Sequence, residues 1–418
     1  MAGDYFDDRE ERDPEVREAA LMAALPAQIA HAKDKAPAFA EILKDIDPAA
    51  VATLTALARL PVTRKSDLMA RQSEDPPLGG FGAIAPGAVA RFFTSPGPIY
   101  EPEGPRADFW RTARALYAAG FRTGEVVHNA FAYHLSPGGW MLDSGLRSLG
   151  CTVVPAGVGN SEAQARAIQH LRPVGYAGTP DFLKTLLDKG AELGLDCGSI
   201  TKALVSGGAL FPSLRQDYAG RGVAVLQCYA TADLGLIAYE SAADQGMIVD
   251  EDLIVEIVQP GTGDPVPEGE AGEVVVTTLN PDYPLVRFAT GDLSAVLPGP
   301  SPCGRTNTLL KGWLGRADQT TKVKGMFVHP AQVAEVVKRH PEIARARLVV
   351  TRAGESDIMT LRCEVAPGET IGQAAEALAG AIAETLQSVC KLRGAVEIEP
   401  PGALPKDGTV IEDARSYD

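Results

Sequence analysis

The sequence predicts an α/β protein, with a large N-terminal α/β domain that carries a β subdomain and a small α+β C-terminal domain. Three observations carry that expectation. Between residues 109 and 235, apolar runs such as TVVPAG, KALVSGG and VAVLQCY alternate with helical stretches such as SEAQARAIQHL and PDFLKTLLDKGAEL, the pattern of a sheet covered by helices. The β-branched runs DLIVEIV and EVVVTTL flank the turn-rich QPGTGDPVPEGEAG, so a more antiparallel subdomain follows. After residue 325 the order becomes helix PAQVAEVVKRH, strands RARLVV and MTLRCEV, a long Ala-rich helix around residues 373 to 390, and strand AVEIE.

In chain order, RDPEVREAALMAAL opens the first long helix, with Asp13 as N-cap, Pro14 at the first helical position and Glu15 in the first turn. LPVTRKSDL reads as a turn into the next helix. The domain boundary is expected inside KGWLGRADQTTKVKGMFVHP, giving domains 1–317 and 318–418. That stretch holds more charge and more glycine than a plain connector needs.

Composition narrows the function. The 418 residues exceed the usual size of one compact domain, and 45% hydrophobic residues suffice for a real core. A formal net charge of −15 argues against a partner made of nucleic acid or anionic membrane, because such surfaces repel it. An anionic ligand therefore needs a local basic pocket. The six cysteines, Cys151, Cys197, Cys228, Cys303, Cys363 and Cys390, show no Cys-x-x-Cys pair and read as reduced, mostly buried thiols. The acidic start MAGDYFDDREERDPE is no secretory signal and no apolar run is long enough to cross a bilayer, so the expected location is cytoplasmic. The chain shows neither an internal repeat nor a low-complexity segment.

Four loops carry chemistry. In YPLVRFATGDLSAV, Asp292 follows a β-type run beside Gly291; a carboxylate there suits the paired hydroxyls of a ribose, and a local β-turn cap is the alternative. SGGAL at residues 206 to 210 ends a strand, where α/β enzymes commonly bind ligands. LQCYATADLG ends an apolar strand in Tyr229 and small polar residues, and GRADQTTKVKG brings Arg316 and Asp318 onto the linker.

On these loops, together with YFDDREERDPE, LPVTRKSDL and CGRTN, the chain resembles the phenylacetate-CoA ligase family of AMP-forming adenylating enzymes nearly end to end. The resemblance implies an ATP-dependent acid-CoA ligase acting on a small aryl or arylacetic acid, with ATP, Mg²⁺ and coenzyme A as cofactors. It implies a C-terminal domain that is a mobile lid turning about Asp318, with Gly315 and Gly325 permitting the turn. Arg316 then binds ribose or phosphate, and Asp292 binds the ribose hydroxyls. Ser206, Gly207 and Gly208 face the adenine edge, and Tyr229, Ala230 and Thr231 complete the nucleotide side. Lys324 and Gly325, with Lys322, line the coenzyme A side; a solvated charged face is the other reading of those lysines. The catalytic lysine falls on Lys406 when the tail LPKDGTVIEDARSYD is aligned on VIEDAR, and on the position of Thr409 when it is aligned on a Gly-Lys pair; Lys406 is the choice made here.

The family pattern is broken in places. Where relatives have a Ser/Thr/Gly-rich phosphate loop ending in Lys-Pro, this chain has FFTSPGPIYEPEG. Thr94, Ser95 and Gly97 remain as phosphate contacts, Tyr100 stands about where the lysine should be, and Pro96 and Pro98 remove two amide donors. Asp233 replaces the usual Glu of the Tyr-Gly-x-Thr-Glu loop and is expected as the Mg²⁺ ligand and a catalytic residue, with a shorter arm. Ser241 and Met247 stand where some relatives place metal-binding Cys and His, so no structural zinc is expected. FAYHLSPGGWMLDSG matches the segment that lines the acid pocket: Tyr133, His134 and Trp140 would edge an aromatic ring, and Gly138 and Gly139 would leave room for it. A packed hydrophobic turn is the competing reading, and His134 is read as packed rather than as a base. Two other functions stay open, a nucleotide or acyl-CoA binder that has lost the chemistry and an enzyme that loads a carrier-protein thiol. The sequence leaves a homodimer open.

Overall fold

The computed structural model describes residues 4–415 apart from 96, 209, 243–244, 318–320, 325, 329, 354–355, 367–374 and 406–408. It falls into two compact units, Met1–Leu314 and Gly315–Asp418.

In the first unit, helix α1 (Pro14–Lys35) begins as its sequence dictates, the Asp13 carboxylate accepting from the Glu15 and Val16 amides ahead of Pro14. Short helices α2 (Pro37–Ile42) and α3 (Leu54–Leu57) follow. The two-residue strand β1 (Thr63–Arg64) runs directly into α4 (Lys65–Glu74), and Asp67 closes that helix start by accepting from the Arg64 amide at 2.8 Å. Strands β2 (Arg91–Ser95) and β3 (Ile99–Glu103) form a hairpin in which Ser95 faces Ile99. Then the alternation expected from the sequence appears: α5 (Thr112–Ala118), β4 (Val126–Asn129), α6 (Gly138–Ser148), β5 (Thr152–Pro155), α7 (Ser161–Leu171), β6 (Gly175–Gly178), α8 (Pro180–Glu192), β7 (Lys202–Val205) and α9 (Pro212–Gly220). The chain continues through β8 (Ala224–Thr231), β9 (Gly235–Tyr239), β10 (Met247–Val249), β11 (Leu253–Val258), β12 (Gly272–Thr278), β13 (Phe288–Ser294), β14 (Val296–Leu297) and β15 (Leu309–Leu310).

These strands make a sheet in the order β14-β15-β10-β9-β8-β7-β6-β4-β5. From β5 to β8 it is parallel, and at β8–β9 it turns antiparallel. The parallel strands read as continuous apolar runs because helices cover them: Tyr176, Ala203 and Val205 are fully buried in one core with Leu183, Leu186 and Tyr218, and Leu204 in another with Leu116, Leu142 and Leu146. The expected β subdomain is the sheet β1-β13-β12-β11, with β11, β12 and β13 antiparallel and β1 parallel to β13. Its inner face, with Ile254, Val274, Val276 and Phe288, packs with Leu25 and Ile29 of α1 in one core.

The segment before α1 is held by charge. Glu10, 1% exposed, accepts from Arg114 Nη1 at 2.9 Å, Arg305 Nε at 2.8 Å, Tyr239 Oη at 3.0 Å and the Phe6 amide at 3.2 Å. Glu251, equally buried, accepts from Arg12 Nη2 at 2.8 Å and Arg17 Nε at 2.9 Å. The acidic N-terminus is thus a structural part whose counter-ions come from distant sequence.

The second unit opens with β16 (Gly315–Arg316) and the hairpin β17 (Thr321–Val323) and β18 (Met326–Val328), followed by α10 (Pro330–Arg339). Strands β19 (Ile343–Ala353) and β20 (Ser356–Val365) pair antiparallel, helix α11 (Ala375–Cys390) returns the chain, and β21 (Ala395–Glu399) and β22 (Ile411–Asp413) complete a sheet in the order β21-β20-β19-β22. Val333, Val336, Leu348, Leu361, Ile382 and Leu386 form its core. Strand β22 was not expected; its three residues owe their extension to parallel pairing with Leu348 to Val350 of β19. Among the described residues, no helix is long and apolar enough to cross a membrane.

Replacing Glu10 by Gln leaves the buried Arg114 and Arg305 short of their shared counter-ion and is expected to cost about 3 kcal/mol. The control Glu162→Gln breaks the exposed Glu162–Arg166 pair and should cost less than about 0.5 kcal/mol. All three tryptophans, Trp110, Trp140 and Trp313, lie in the first unit, so urea titration followed by tryptophan fluorescence reads that unit alone. Equal midpoints for the two variants would contradict the assignment.

Candidate active site

Two of the expected loops meet in the first unit. Strand β8 ends in a bulge between Tyr229 and Ala230 as it turns toward β9, which re-aims the Tyr229 side chain. Its hydroxyl donates to Asp292 Oδ2 at 2.8 Å, and Trp313 Nε1 donates to Asp292 Oδ1 at 3.0 Å. Asp292 lies within β13 rather than on a loop after it, with its amide bonded to Thr290 Oγ1 at 3.1 Å. The carboxylate is 8% exposed and held in one orientation by two donors from different segments. Trp313 was not foreseen as a site residue. A tryptophan in a charged, glycine-rich stretch was the only signal for it.

Ser206 follows β7, and its hydroxyl donates to the Cys228 carbonyl at 2.8 Å, tying the SGGAL turn to the neighbouring strand. Gly207 adopts φ +71°, a left-handed conformation that suits glycine, while a Cβ on Gly208 would meet only Pro180 at ordinary contact distance. Ala230 and Thr231 end β8, and Thr231 Oγ1 accepts from the Leu234 amide at 3.2 Å. The expected nucleotide residues of this unit therefore sit on β7, β8 and β13 or just beyond their ends.

Asp233 is in different company from that expected. Its side chain is wholly buried, and Lys65 Nζ lies 2.9 Å from Oδ2 as an ion pair; neither Asp233 oxygen accepts a well-aligned hydrogen bond. Glu101 adjoins it, 1% exposed, with Ser95 Oγ donating to Oε1 at 3.0 Å. Burial first, and then the charge of Asp233, push the Glu101 carboxyl well above the ordinary carboxylate range and favour its protonated form. Burial opposes ionisation of Asp233 too, but the Lys65 ammonium and the Glu101 carboxyl outweigh it and hold Asp233 below its usual value. The buried phenol of Tyr283 is pushed up by burial and by these two acids.

Two of the expected residues stand in other surroundings. Tyr100, expected about where the family's lysine should be, is 45% exposed and lies on the opposite side of β3 from the buried Glu101, as alternation along a strand requires. Asp233, expected as a Mg²⁺ ligand, faces an ammonium ion instead. Among the described residues, no group of three or more His, Cys, Asp and Glu stands together to hold a metal.

The aromatic segment is packed tightly. Tyr133 Oη accepts from Asn129 Nδ2 at 2.7 Å and donates to Asp143 Oδ1 at 3.2 Å, and the Tyr133 and Trp140 rings meet edge to face at 5.3 Å. The Arg91 guanidinium lies 4.2 Å above the Trp140 ring. Gly139 does not leave room for a ring: a Cβ there would stand 2.6 Å from the Ala132 carbonyl and 2.9 Å from Tyr133. Gly138 is less confined, a Cβ there meeting the Phe131 ring at 3.3 Å. The glycines let the start of α6 approach its own loop. His134 is exposed rather than packed.

Of the residues expected from the second unit, Asp318, Gly325 and Lys406 lie outside the described residues. Arg316 belongs to β16. Lys324 takes φ +47° at the turn between β17 and β18, its amide donating to Asp357 Oδ2 at 2.9 Å. An open depression of about 520 Å³ lined by Arg59, Arg64, Asp264 and Arg287 contains none of the expected residues. Arg287 and Arg64 there are already paired with Glu256 and Glu273.

Cys303 lies beside Ser301, with Oγ and Sγ 3.0 Å apart, and Arg305 Nη1 donates to the sulfur at 3.7 Å. Burial pushes its thiol up, but hydrogen bonds with Ser241 and Ser301, with help from Arg305, more than offset this and hold it below the ordinary value. Burial pushes Cys228 and Cys363 up to about 12.

The AMP-binding enzyme family matches residues 111–280, and the AMP-binding enzyme C-terminal domain matches residues 325–412. A phenylacetate-coenzyme A ligase of Thermus thermophilus is 33% identical over 355 residues, covering 81% of this chain and 79% of the relative. Another phenylacetate-coenzyme A ligase, from Aromatoleum evansii, is 29% identical over 406 residues, covering 92% and 90%. The fold is shared with a 2-hydroxyisobutyryl-CoA ligase solved with 2-HIB-AMP and CoA, at a TM-score of 0.83 and 24% identity, covering 98% of this chain and 92% of that one.

Cys303 is expected to be the first of the six cysteines alkylated by iodoacetamide near pH 8, with Cys228 and Cys363 reacting only on unfolding. Peptide mapping after graded exposure checks this. Labelling of Cys363 in native protein before Cys303 would show that these environments are misassigned.

Proposed function

The chain belongs to the phenylacetate-coenzyme A ligase family, and from that premise we propose that its substrate is an aryl or arylacetic acid. It activates the acid with ATP and passes the acyl group to coenzyme A. The observation that carries this reading is the 2.8 Å bond from Tyr229 to Asp292. It joins the YATADLG motif, where the parallel strand β8 ends, to the RFATGDLS motif on β13 of the second sheet; the ends of parallel strands are where α/β proteins bind nucleotides.

In the first half-reaction a carboxylate oxygen of the acid bonds to the α-phosphorus of ATP, the bridge to the β-phosphate breaks, and pyrophosphate leaves with the electron pair. In the second, the thiolate of coenzyme A bonds to the carbonyl carbon and AMP leaves. Asp292, oriented by Tyr229 and Trp313, accepts from the ribose hydroxyls, and the Ser206 to Gly208 turn faces the adenine. Such pre-oriented acceptors act mainly by positioning. Tyr133 and Trp140 present ring edges toward an aromatic acid. From the second unit, Arg316 is assigned to ribose or phosphate, Lys406 to the charge developing in the first step, Lys324 and Gly325 to coenzyme A, and Asp318 to the hinge. Magnesium enters as the counter-ion of ATP, and a cytoplasmic setting supplies both ATP and coenzyme A.

A second reading has one observation in its favour: the loop FFTSPGPIYEPEG holds no lysine where the family resemblance expects one, which weakens the hold on pyrophosphate. Exchange of labelled pyrophosphate into ATP, run with a panel of acids, separates the readings. Aryl or arylacetic acids should support exchange, and exchange followed by acylation only of a carrier-protein thiol would redirect the second step. AMP binding by calorimetry with no exchange for any acid would leave a nucleotide-binding homologue.

Two variants sharpen the assignment. Lys406→Ala should stop exchange while sparing thioester formation from pre-made acyl-adenylate; equal loss of both steps would make the lysine structural. Tyr229→Phe removes one donor to Asp292 and should raise the KM for ATP by roughly 2- to 10-fold, the worth of one hydrogen bond. An unchanged KM would separate Asp292 from the ribose.

A further inference from the structure

Lys65 is the first residue of α4, and its backbone is pinned on both sides. Arg64 belongs to β1, paired with β13, and its guanidinium grips Glu273 with bonds of 2.9 and 3.1 Å. Asp67 holds the Arg64 amide at 2.8 Å. From this anchored start the Lys65 side chain, 30% exposed, reaches the fully buried Asp233 carboxylate at 2.9 Å. Glu101 and Ser95, one at each side of the phosphate hairpin, stand at the same place, 3.0 Å apart. One ammonium therefore touches the acid of the YATADLG turn beside the loop that has lost its own lysine.

A magnesium ion needs about six oxygen ligands in a near-octahedral shell and keeps several waters. Asp233 is closed to solvent and its approach is taken by Nζ, so the residues as arranged do not fit that ion. We propose that the Lys65 ammonium replaces a protein-held divalent cation at Asp233, supplying the fixed positive charge at the phosphate end of the site. The proposal rests on the acyl-adenylating reading of this site. It accounts for how a loop without a lysine of its own still meets a polyanion: the cation arrives from α4 instead. Divalent metal is then carried by ATP and not by the protein.

Mn²⁺ titration of the full chain without nucleotide, followed by the electron paramagnetic resonance of free Mn²⁺, tests this directly. Wild type should take up no Mn²⁺ at Asp233. Lys65→Met should take up one ion at least about tenfold more tightly, as expected when two carboxylates become available as hard ligands, and Lys65→Met/Asp233→Asn should lose it. Lys65→Gln serves if the Met variant does not fold, judged by tryptophan fluorescence. Wild type binding one ion as tightly as the Lys65 variant, with loss in Asp233→Asn, would overturn the proposal. So would absence of uptake in every protein, because the pocket would then exclude a dication with or without the ammonium. Acid-dependent pyrophosphate exchange on the same preparations reports separately on the ligase reading.

Discussion

A carboxylate stripped of water must find a cation or a proton, and the buried Asp233–Glu101 pair is satisfied by one of each. Two acids side by side in a low-dielectric interior cannot both ionise without several kcal/mol of repulsion and lost hydration. Asp233 takes the Lys65 ammonium, and burial beside Asp233 biases Glu101 toward its protonated form. This solution binds three separate parts of the first unit: the start of α4, the β2–β3 hairpin and the β8–β9 turn.

The same logic runs through the site. A chain of net charge −15 that handles polyanions must localise positive charge and restrain its acids. Asp292 is restrained by Tyr229 and Trp313, which spend their donors on its two oxygens and leave it only slightly exposed. A fixed acceptor of this kind selects hydroxyl pairs by geometry, because any reorientation would break a bond already made. Arg91 on Trp140 is the aromatic counterpart: a cation spread over the face of a ring near the loop expected to meet the acid.

Much of this was legible in advance. The alternation from TVVPAG to VAVLQCY gives β5 to β8 and their helices because strand and helix periods differ plainly over such lengths. Asp13-Pro14 marks the start of α1 through local chemistry alone. Asp292 and Tyr229 could be named because each sits in a motif, but their mutual bond could not, since it depends on a bulge and a register. Lys65 was beyond reach. In LPVTRKSDL it looks like one of two basic residues ahead of a helix, and nothing local connects it with Asp233. Gly139 misled for the opposite reason: a glycine signals that something comes close, and here the neighbour is its own chain rather than a ligand.

The tie between Glu10 and its partners also orders the making of the molecule. Glu10 leaves the ribosome well before its partners: Arg114 and Tyr239 follow much later, and Arg305 emerges only near the end of the first unit. Until then the acid has no complete set of donors, and the nascent N-terminus must stay hydrated and unburied. Translation thus delivers the anchor first and its last counter-ion nearly three hundred codons later, so the large unit locks shut only as its final segment is threaded into place.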